Sequence, residues 1–310
     1  LRIAEGTDAT ALFESHHLHI HKAQASLRKL PKKGIYVMKK SYDYAKYGQL
    51  RNVMVQNYLT KRNGIPVNAM IWACVALVFH VIVCTFDSLW WSVAAGVVNT
   101  ICGGYGHNGV HVLSPEALLL DLNGLSALEW LLEHVQSHHM YPNTDYDHDA
   151  ISMEPFVRWL PHRPNPFINH PIVKHVLYCI AELVVAGHGY IGHRTRWTRV
   201  PGAPWWLSVA PWIFPIRIGT IIAFKGIKPA LTACVTASYM FSYLAHLSHE
   251  DAPPGDTSDF MDVQLKTTKD IKWNLPGPLL LFLDRQRAHH LFPTLNHEVL
   301  GVKHHFEKEI

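Results

Sequence analysis

The sequence predicts an all-α, polytopic membrane protein with about four transmembrane helices and a histidine-rich cap on the cytosolic side. Two observations predict this fold class. Four long segments are almost free of charged residues, and histidine, with 23 copies, nearly equals Asp and Glu combined, which number 24. Because neutral imidazole is the commonest nitrogen ligand of transition metals, this excess indicates a metal-binding cap.

The four apolar segments are 16 to 20 residues long, and a bilayer crossing takes about 20 apolar residues. The first segment has no Asp, Glu, Lys or Arg. The third contains Arg217, which we expect to face a polar interior or to snorkel to the interface. A further apolar stretch at 171–186 is interrupted by charged residues, which favours a helix on the membrane surface. The four predicted spans are 67–86, 89–104, 205–224 and 230–245.

Histidine clusters follow the second and the fourth predicted spans, so an even number of crossings brings all of them to the N-terminal face of the membrane. Basic residues upstream of the first span predict that this face is cytosolic, since cytoplasmic segments carry an excess of Lys and Arg. These residues are Arg28, Lys29, Lys32, Lys33, Lys39 and Lys40. The topology therefore predicts one cytosolic site rather than clusters on opposite sides.

Two of the clusters repeat a spacing that suits metal binding. His107 and His111 are four residues apart, so one face of a helix can present both rings to one metal. His134 and His138 have the same spacing, and the neighbouring His139 is expected to point elsewhere and serve a second metal. Three aspartates follow and are expected to orient metal-bound imidazoles from behind, namely Asp145, Asp147 and Asp149.

The third cluster consists of the adjacent His289 and His290, with Gln286 one helical turn earlier. The three clusters together supply seven histidines, more than one tetrahedral zinc accepts, so two metal ions are implied. Zinc is redox-silent, whereas imidazole also suits iron and copper. A pair of oxygen-activating irons is therefore the favoured interpretation.

Composition argues against two other classes of protein. The net charge is only +4, so a nucleic-acid partner is not expected. The five cysteines form no C-x-x-C pair and lie mostly in apolar segments. That pattern is typical of buried thiols in a reducing compartment rather than of a disulfide framework. The first residues also lack the pattern of a signal peptide.

These motifs resemble the three histidine boxes of membrane fatty acid desaturases. The third motif, QRAHHLFP at 286–293, is similar to that of front-end desaturases, as is the acidic stretch at 143–149. The resemblance extends from about Val67 to the end of the chain. Three features depart from the family pattern: Asn108 stands where Asp is usual, Arg287 and Ala288 replace an apolar–acidic pair, and the second box has three intervening residues instead of two.

The resemblance also implies a set of metal ligands. A histidine near the end of the fourth span belongs to the family pattern, and His246 is preferred to His249 for that role. Gln286 is expected to be a weak ligand or to support one from behind. The implied histidine ligands are His107, His111, His134, His138, His139, His246, His289 and His290.

The N-terminal residues from Glu5 to His17 resemble the end of a cytochrome b5 domain, and the layout is similar to that of arthropod cytochrome b5-related proteins. This resemblance implies that His17 is the second haem ligand. The segment with the first ligand is absent, so this chain alone is not expected to hold haem between two histidines. The predicted division is a b5-like remnant at 1–30, a linker with an amphipathic helix at 31–65, and a desaturase domain at 66–310.

The family resemblance implies an endoplasmic reticulum enzyme that uses O2 and two irons to introduce a double bond into a fatty acyl chain. The substrate would be an acyl-CoA or an acyl lipid. Electrons would come from cytochrome b5, reduced by a flavin-dependent reductase. Two alternatives stay open: a hydroxylase or acetylenase that uses the same site, and a silent electron-transfer or scaffold protein.

Overall fold

The computed structural model describes residues 8–31, 42–57, 65–152, 204–249 and 255–296, together with Glu154, Leu160 and Ile180. These parts are mostly helical and contain no strand, which confirms the helical class for the described residues. The predicted surface helix at 171–186 lies outside the described residues, apart from Ile180.

The described helices, in chain order, are as follows. The N-terminal part has α1 (Thr10–His16), α2 (Ile20–Leu27) and α3 (Ala45–Asn57). The central part has α4 (Val67–Thr85), α5 (Leu89–Val112), α6 (Leu118–Asn123), α7 (Ala127–Trp130), a π-helix (Leu131–His138) and α8 (His148–Ile151). The remainder has α9 (Ala210–Lys225), α10 (Ile227–Leu247), α11 (Phe260–Thr267) and α12 (Gln286–Leu291). Short 3-10 turns connect several of them.

The four predicted spans all form helices, namely α4, α5, α9 and α10. Two stretches, Val67–Thr85 and Trp205–Lys225, are long and apolar enough to cross a membrane, within the described parts of the chain. Helix α5 differs because it buries polar residues such as Asn99 and Thr100. Helix α4, in contrast, exposes large apolar side chains, including Leu77 at 63%.

Helix α5 lies at the centre of the helical layer, since it packs against α4, α6 and α10. Two glycines allow the chain after α5 to approach it closely. A Cβ at Gly109 would lie 2.5 Å from the backbone nitrogen of Ala117, and one at Gly106 would overlap the backbone nitrogen of Leu120. Because Gly106 and Gly109 flank His107 in sequence, this packing holds α6 against the turn that carries the first histidine.

The cap includes α3, α11 and α12, together with the histidine-bearing end of α5 and the π-helix. The predicted amphipathic helix corresponds to α3, whose Tyr47, Leu50 and Met54 are buried. The Tyr47 ring contacts the rings of Phe260 and Phe292 at centroid distances of 5.1 Å and 5.8 Å. The apolar face of α3 is therefore buried in the protein, next to the helix that carries the third histidine cluster.

Candidate metal centre

Within the described parts of the chain, eight histidines converge in the cap and form two neighbouring groups made of histidine alone. In each group, one ring nitrogen of every member lies within 4.8 Å of those of the others. The first group is called site A and the second site B. Site A consists of His107, His111, His134, His139 and His289, and site B consists of His138, His249 and His290.

The distances within site A match those between ligands of one ion. His134 Nε2 lies 2.7 Å from His107 Nε2 and 3.0 Å from His139 Nε2, and His111 Nε2 lies 3.4 Å from His107 Nε2. Nitrogens that each bind a metal at about 2.0–2.1 Å lie roughly 3 Å apart. The last turns of α5 present His107 and His111 to the same site, as their spacing predicts.

The π-helix decides which residues of the second cluster share a site. The spacing predicted that His134 and His138 share a metal and that His139 serves another. The structure groups His139 with His134 in site A and puts His138 in site B, although His134 and His138 also form a third candidate group with Asp149. The reason is the wider turn of a π-helix, in which hydrogen bonds join residues five apart. The backbone N–H of His139 donates to the carbonyl oxygen of His134 at 3.0 Å, across the end of that helix.

In the second and third clusters, the two adjacent histidines belong to different sites. His138 and His139 contribute one ring to site B and one to site A, and His290 and His289 do the same. The rings of His139 and His290 stack with centroids 4.3 Å apart, so sites A and B lie side by side. Such a division suits two neighbouring metal ions held by shared backbone segments.

Two of these imidazoles have carboxylate partners on their outer nitrogens. His134 Nδ1 lies 2.9 Å from Asp149 Oδ2, and His138 Nδ1 lies 2.9 Å from Asp147 Oδ2. Two of the three aspartates therefore occupy the supporting positions that sequence analysis expected. Such partners orient a metal-binding ring and make its inner nitrogen a better donor.

The partner of His290 has no sequence signal of its own. Gln264 of α11 is fully buried. Its Oε1 lies 2.8 Å from His290 Nδ1, and its Nε2 donates to the carbonyl oxygen of His139 at 3.1 Å. One amide thus connects the second and third clusters. Its position follows only from the packing of α11 on α12, so spacing along the chain could not have identified it.

Burial keeps most of these rings neutral. It lowers the pKa of His134, His139 and His290 well below the usual value, and neighbouring imidazoles add to the effect. Neutral imidazole has the free lone pair that a metal requires. His138 differs, because burial lowers its pKa but the charge and hydrogen bond of Asp147 outweigh that effect and raise it.

Site B contains a histidine that sequence analysis set aside. His249 belongs to it, whereas His246 lies in neither group. The reason is that α10 ends at Leu247, and His249 then forms a β-bridge with Thr268 that turns the chain toward the cap. Its ring centroid lies 4.7 Å from that of His138. The preference for His246 is therefore not supported by the geometry.

Gln286 lies at the edge of site B. Its Nε2 lies 3.0 Å from His249 Nε2, at hydrogen-bond distance, and its buried Oε1, the amide atom that can bind a metal, has no hydrogen-bond partner among the described residues. Within the described parts of the chain, the buried His138 Nε2 and His290 Nε2 have no hydrogen-bond partner. Buried polar atoms normally have a partner, so the donor set fits a metal ion.

His17 and two of the residues that depart from the desaturase pattern belong to neither site. His17, the expected haem ligand, is exposed, with Nδ1 2.8 Å from the carbonyl oxygen of Phe13. Two residues that depart from the desaturase pattern bond to backbone instead: Asn108 donates to Leu295 at 2.8 Å and the Arg287 side chain donates to Thr268 at 3.3 Å. Neither departure removes a histidine from site A or B.

Comparison with known proteins gives one informative similarity. The chain is 28% identical over 199 residues to the cytochrome b5-related protein of Drosophila melanogaster. The alignment covers 58% of this chain and 45% of that relative, so the chain spans about half of the relative's length. No family model matches, and no solved structure is similar. The relative and the clustered histidines are together consistent with a redox function.

Proposed function

We propose that this chain is the catalytic part of a membrane-bound, O2-dependent fatty acyl desaturase with two irons, one in site A and one in site B. The observation that carries the proposal is the convergence of eight histidines from three separate clusters and His249 into two adjacent groups. Nitrogen-rich donors suit iron, and two adjacent sites exceed what a single structural zinc needs.

The irons, when bound, would supply the activation of O2 that breaks unactivated C–H bonds of the substrate. The protein has three tasks around them. The inner ring nitrogens hold the metals, and Asp147, Asp149 and Gln264 fix the orientation of the rings. Buried side chains that include Leu291, Phe292 and Leu295 exclude water from the cap. No side chain has to act as a nucleophile.

The apolar helices support a membrane location and an acyl substrate. We propose that α5 and α10 cross the bilayer together with the two helices that are apolar enough to do so alone. Large side chains face outward on three of these helices, including Leu77, Ile216 and Leu231, all more than half exposed. In water such a surface would be unfavourable. The basic residues at 28–40 support placing the cap in the cytosol, and we propose that the membrane is that of the endoplasmic reticulum.

The similarity to a cytochrome b5-related protein supports the proposed electron source. Electrons would reach the metal centre from a cytochrome b5 haem, itself reduced by a flavin-dependent reductase. Residues 5–17 are the part of the chain that resembles the end of a b5 domain, and His17 is the proposed haem ligand there. Its exposed ring leaves room for a haem supplied by the rest of such a domain.

Expression in yeast with a co-expressed cytochrome b5 and its reductase tests the proposal. Cells would receive a panel of fatty acids, and lipids would be analysed by gas chromatography and mass spectrometry. We expect new double bonds with the unaltered chain and none with His289→Ala, whereas His21→Ala, an exposed histidine on α2, serves as the matched control. Hydroxylated products would instead support the hydroxylase alternative, and the absence of any product would support the silent scaffold.

A further inference from the structure

We infer that His16 of α1 is a positioning residue for His111, so that the N-terminal helix completes site A from outside the three clusters. The inference rests on the proposed metal centre and adds a residue to it. His16 Nε2 lies 3.3 Å from His111 Nδ1, and the two rings are 5.5 Å apart. Ninety-five positions separate the two residues along the chain.

The hydrogen bonds around His16 determine which ring nitrogen of His16 and of His111 carries the hydrogen. The buried Ser15 Oγ donates to the carbonyl oxygen of Ala11 at 2.8 Å, so its oxygen accepts from His16 Nδ1, 3.0 Å away. His16 then carries its hydrogen on Nδ1, and its Nε2 is an acceptor. His111 Nδ1 must therefore be the donor in the contact with His16.

This assignment leaves the inner nitrogen of His111 with its lone pair. A neutral imidazole carries one hydrogen, and in His111 that hydrogen is on Nδ1, toward His16. His111 Nε2 consequently faces site A as a lone-pair donor, 3.4 Å from His107 Nε2. A serine on α1 thus determines, through His16, which nitrogen of His111 can bind a metal.

The helix that carries His16 is held firmly enough for this role. Arg51 Nη1 of α3 donates to the backbone oxygen of Glu14 at 2.9 Å and to its carboxylate at 3.0 Å. Tyr47 Oη of the same helix donates to the carbonyl oxygen of Leu291 at 2.9 Å, at the end of α12. Helix α3 therefore connects α1 to the helix that carries His289.

His111 is supported in a different way from His134, His138 and His290. His134 and His138 are held by carboxylates that follow them by 15 and 9 residues in the sequence, and His290 is held by Gln264. His111 is held by a neutral imidazole from the N-terminal segment. Docking of that segment is therefore part of building site A, which couples the metal centre to the region that resembles a b5 domain.

Binding of cobalt(II) to the purified full chain tests the role of His16. We expect His16→Leu to weaken cobalt binding at one of two sites by about 10- to 100-fold, the range found when outer partners are removed. The d–d absorption of that site should change as well. His16→Gln should restore most of the affinity, because the amide oxygen can accept from His111 Nδ1. His21→Leu, an exposed histidine on the next helix, is the matched control.

Circular dichroism and a thermal melt of each variant show whether the helices are retained. Equal cobalt affinity and equal spectra for the unaltered chain and a folded His16→Leu would overturn the inference, as would equal losses for His16→Gln and His16→Leu. Because this experiment measures metal binding, its result does not depend on the lipid assay that tests the desaturase proposal. A chain that binds cobalt as expected but makes no unsaturated lipid would contradict the desaturase proposal alone.

Discussion

Site A and site B lie side by side but are built differently. Site A has five imidazoles, two of which come from the last turns of the central helix α5. Site B has three imidazoles and an adjacent amide, and its His249 follows the end of a helix. Ligand number and backbone rigidity both favour site A, so we expect site A to bind its metal more tightly.

The largest effect should come from His134→Ala, because His134 contacts both His107 and His139 in site A and is grouped with His138 of site B. We expect desaturation to disappear and metal content to fall by about one ion per chain. The loss should exceed the roughly 10- to 100-fold effect of outer partners. Elemental analysis of the purified protein measures the number of bound ions per chain, and two retained ions would contradict the assignment of site A.

A second prediction separates His249 from His246. His249→Ala should remove the metal of site B and leave that of site A, because His249, unlike His246, is grouped with His138 and His290. His246→Ala is the matched control, three residues earlier, and should retain both ions. Metal content and product formation measure the difference. If His246→Ala loses an ion and His249→Ala does not, the geometry of site B is wrong.

A third prediction compares the two supporting carboxylates. Asp147→Asn should lower the affinity of site B for its metal by about 10- to 100-fold, because the fully buried Asp147 carboxylate contacts His138 Nδ1. Asp149→Asn should have a smaller effect on site A, since its side chain is 30% exposed and water can replace part of the contact. Cobalt titration of each variant measures which substitution lowers the metal affinity more. A larger effect for Asp149→Asn would reverse the comparison.

The smallest effect is expected from Gln286→His. A fourth imidazole beside His249 should strengthen site B and reduce the difference between the two sites, because imidazole is a better donor than an amide oxygen. Site A should be unaffected. Competition with a chelator measures the affinity of each site. A weaker site B in the variant would show that Gln286 supports His249 by a hydrogen bond rather than occupying a ligand position.

Sequence alone determined several features of this protein. The apolar segments predicted four helices, and the spacing of His107 and His111 predicted that both would face one site, because a regular α-helix repeats every 3.6 residues. The total number of clustered histidines predicted two sites. The aspartates after the second cluster were expected behind the imidazoles, and two of them lie there. Each of these features depends on local periodicity or on counting.

Tertiary structure decided which histidine belongs to which site. The π-helix exchanged the roles of His138 and His139, and the turn after α10 brought in His249 instead of His246. The supporting residues His16 and Gln264 come from helices far away in sequence. Their positions depend on packing between helices, where most buried polar groups find a hydrogen-bond partner. Spacing along one segment carries no information about such partners, so these assignments could come only from the folded chain.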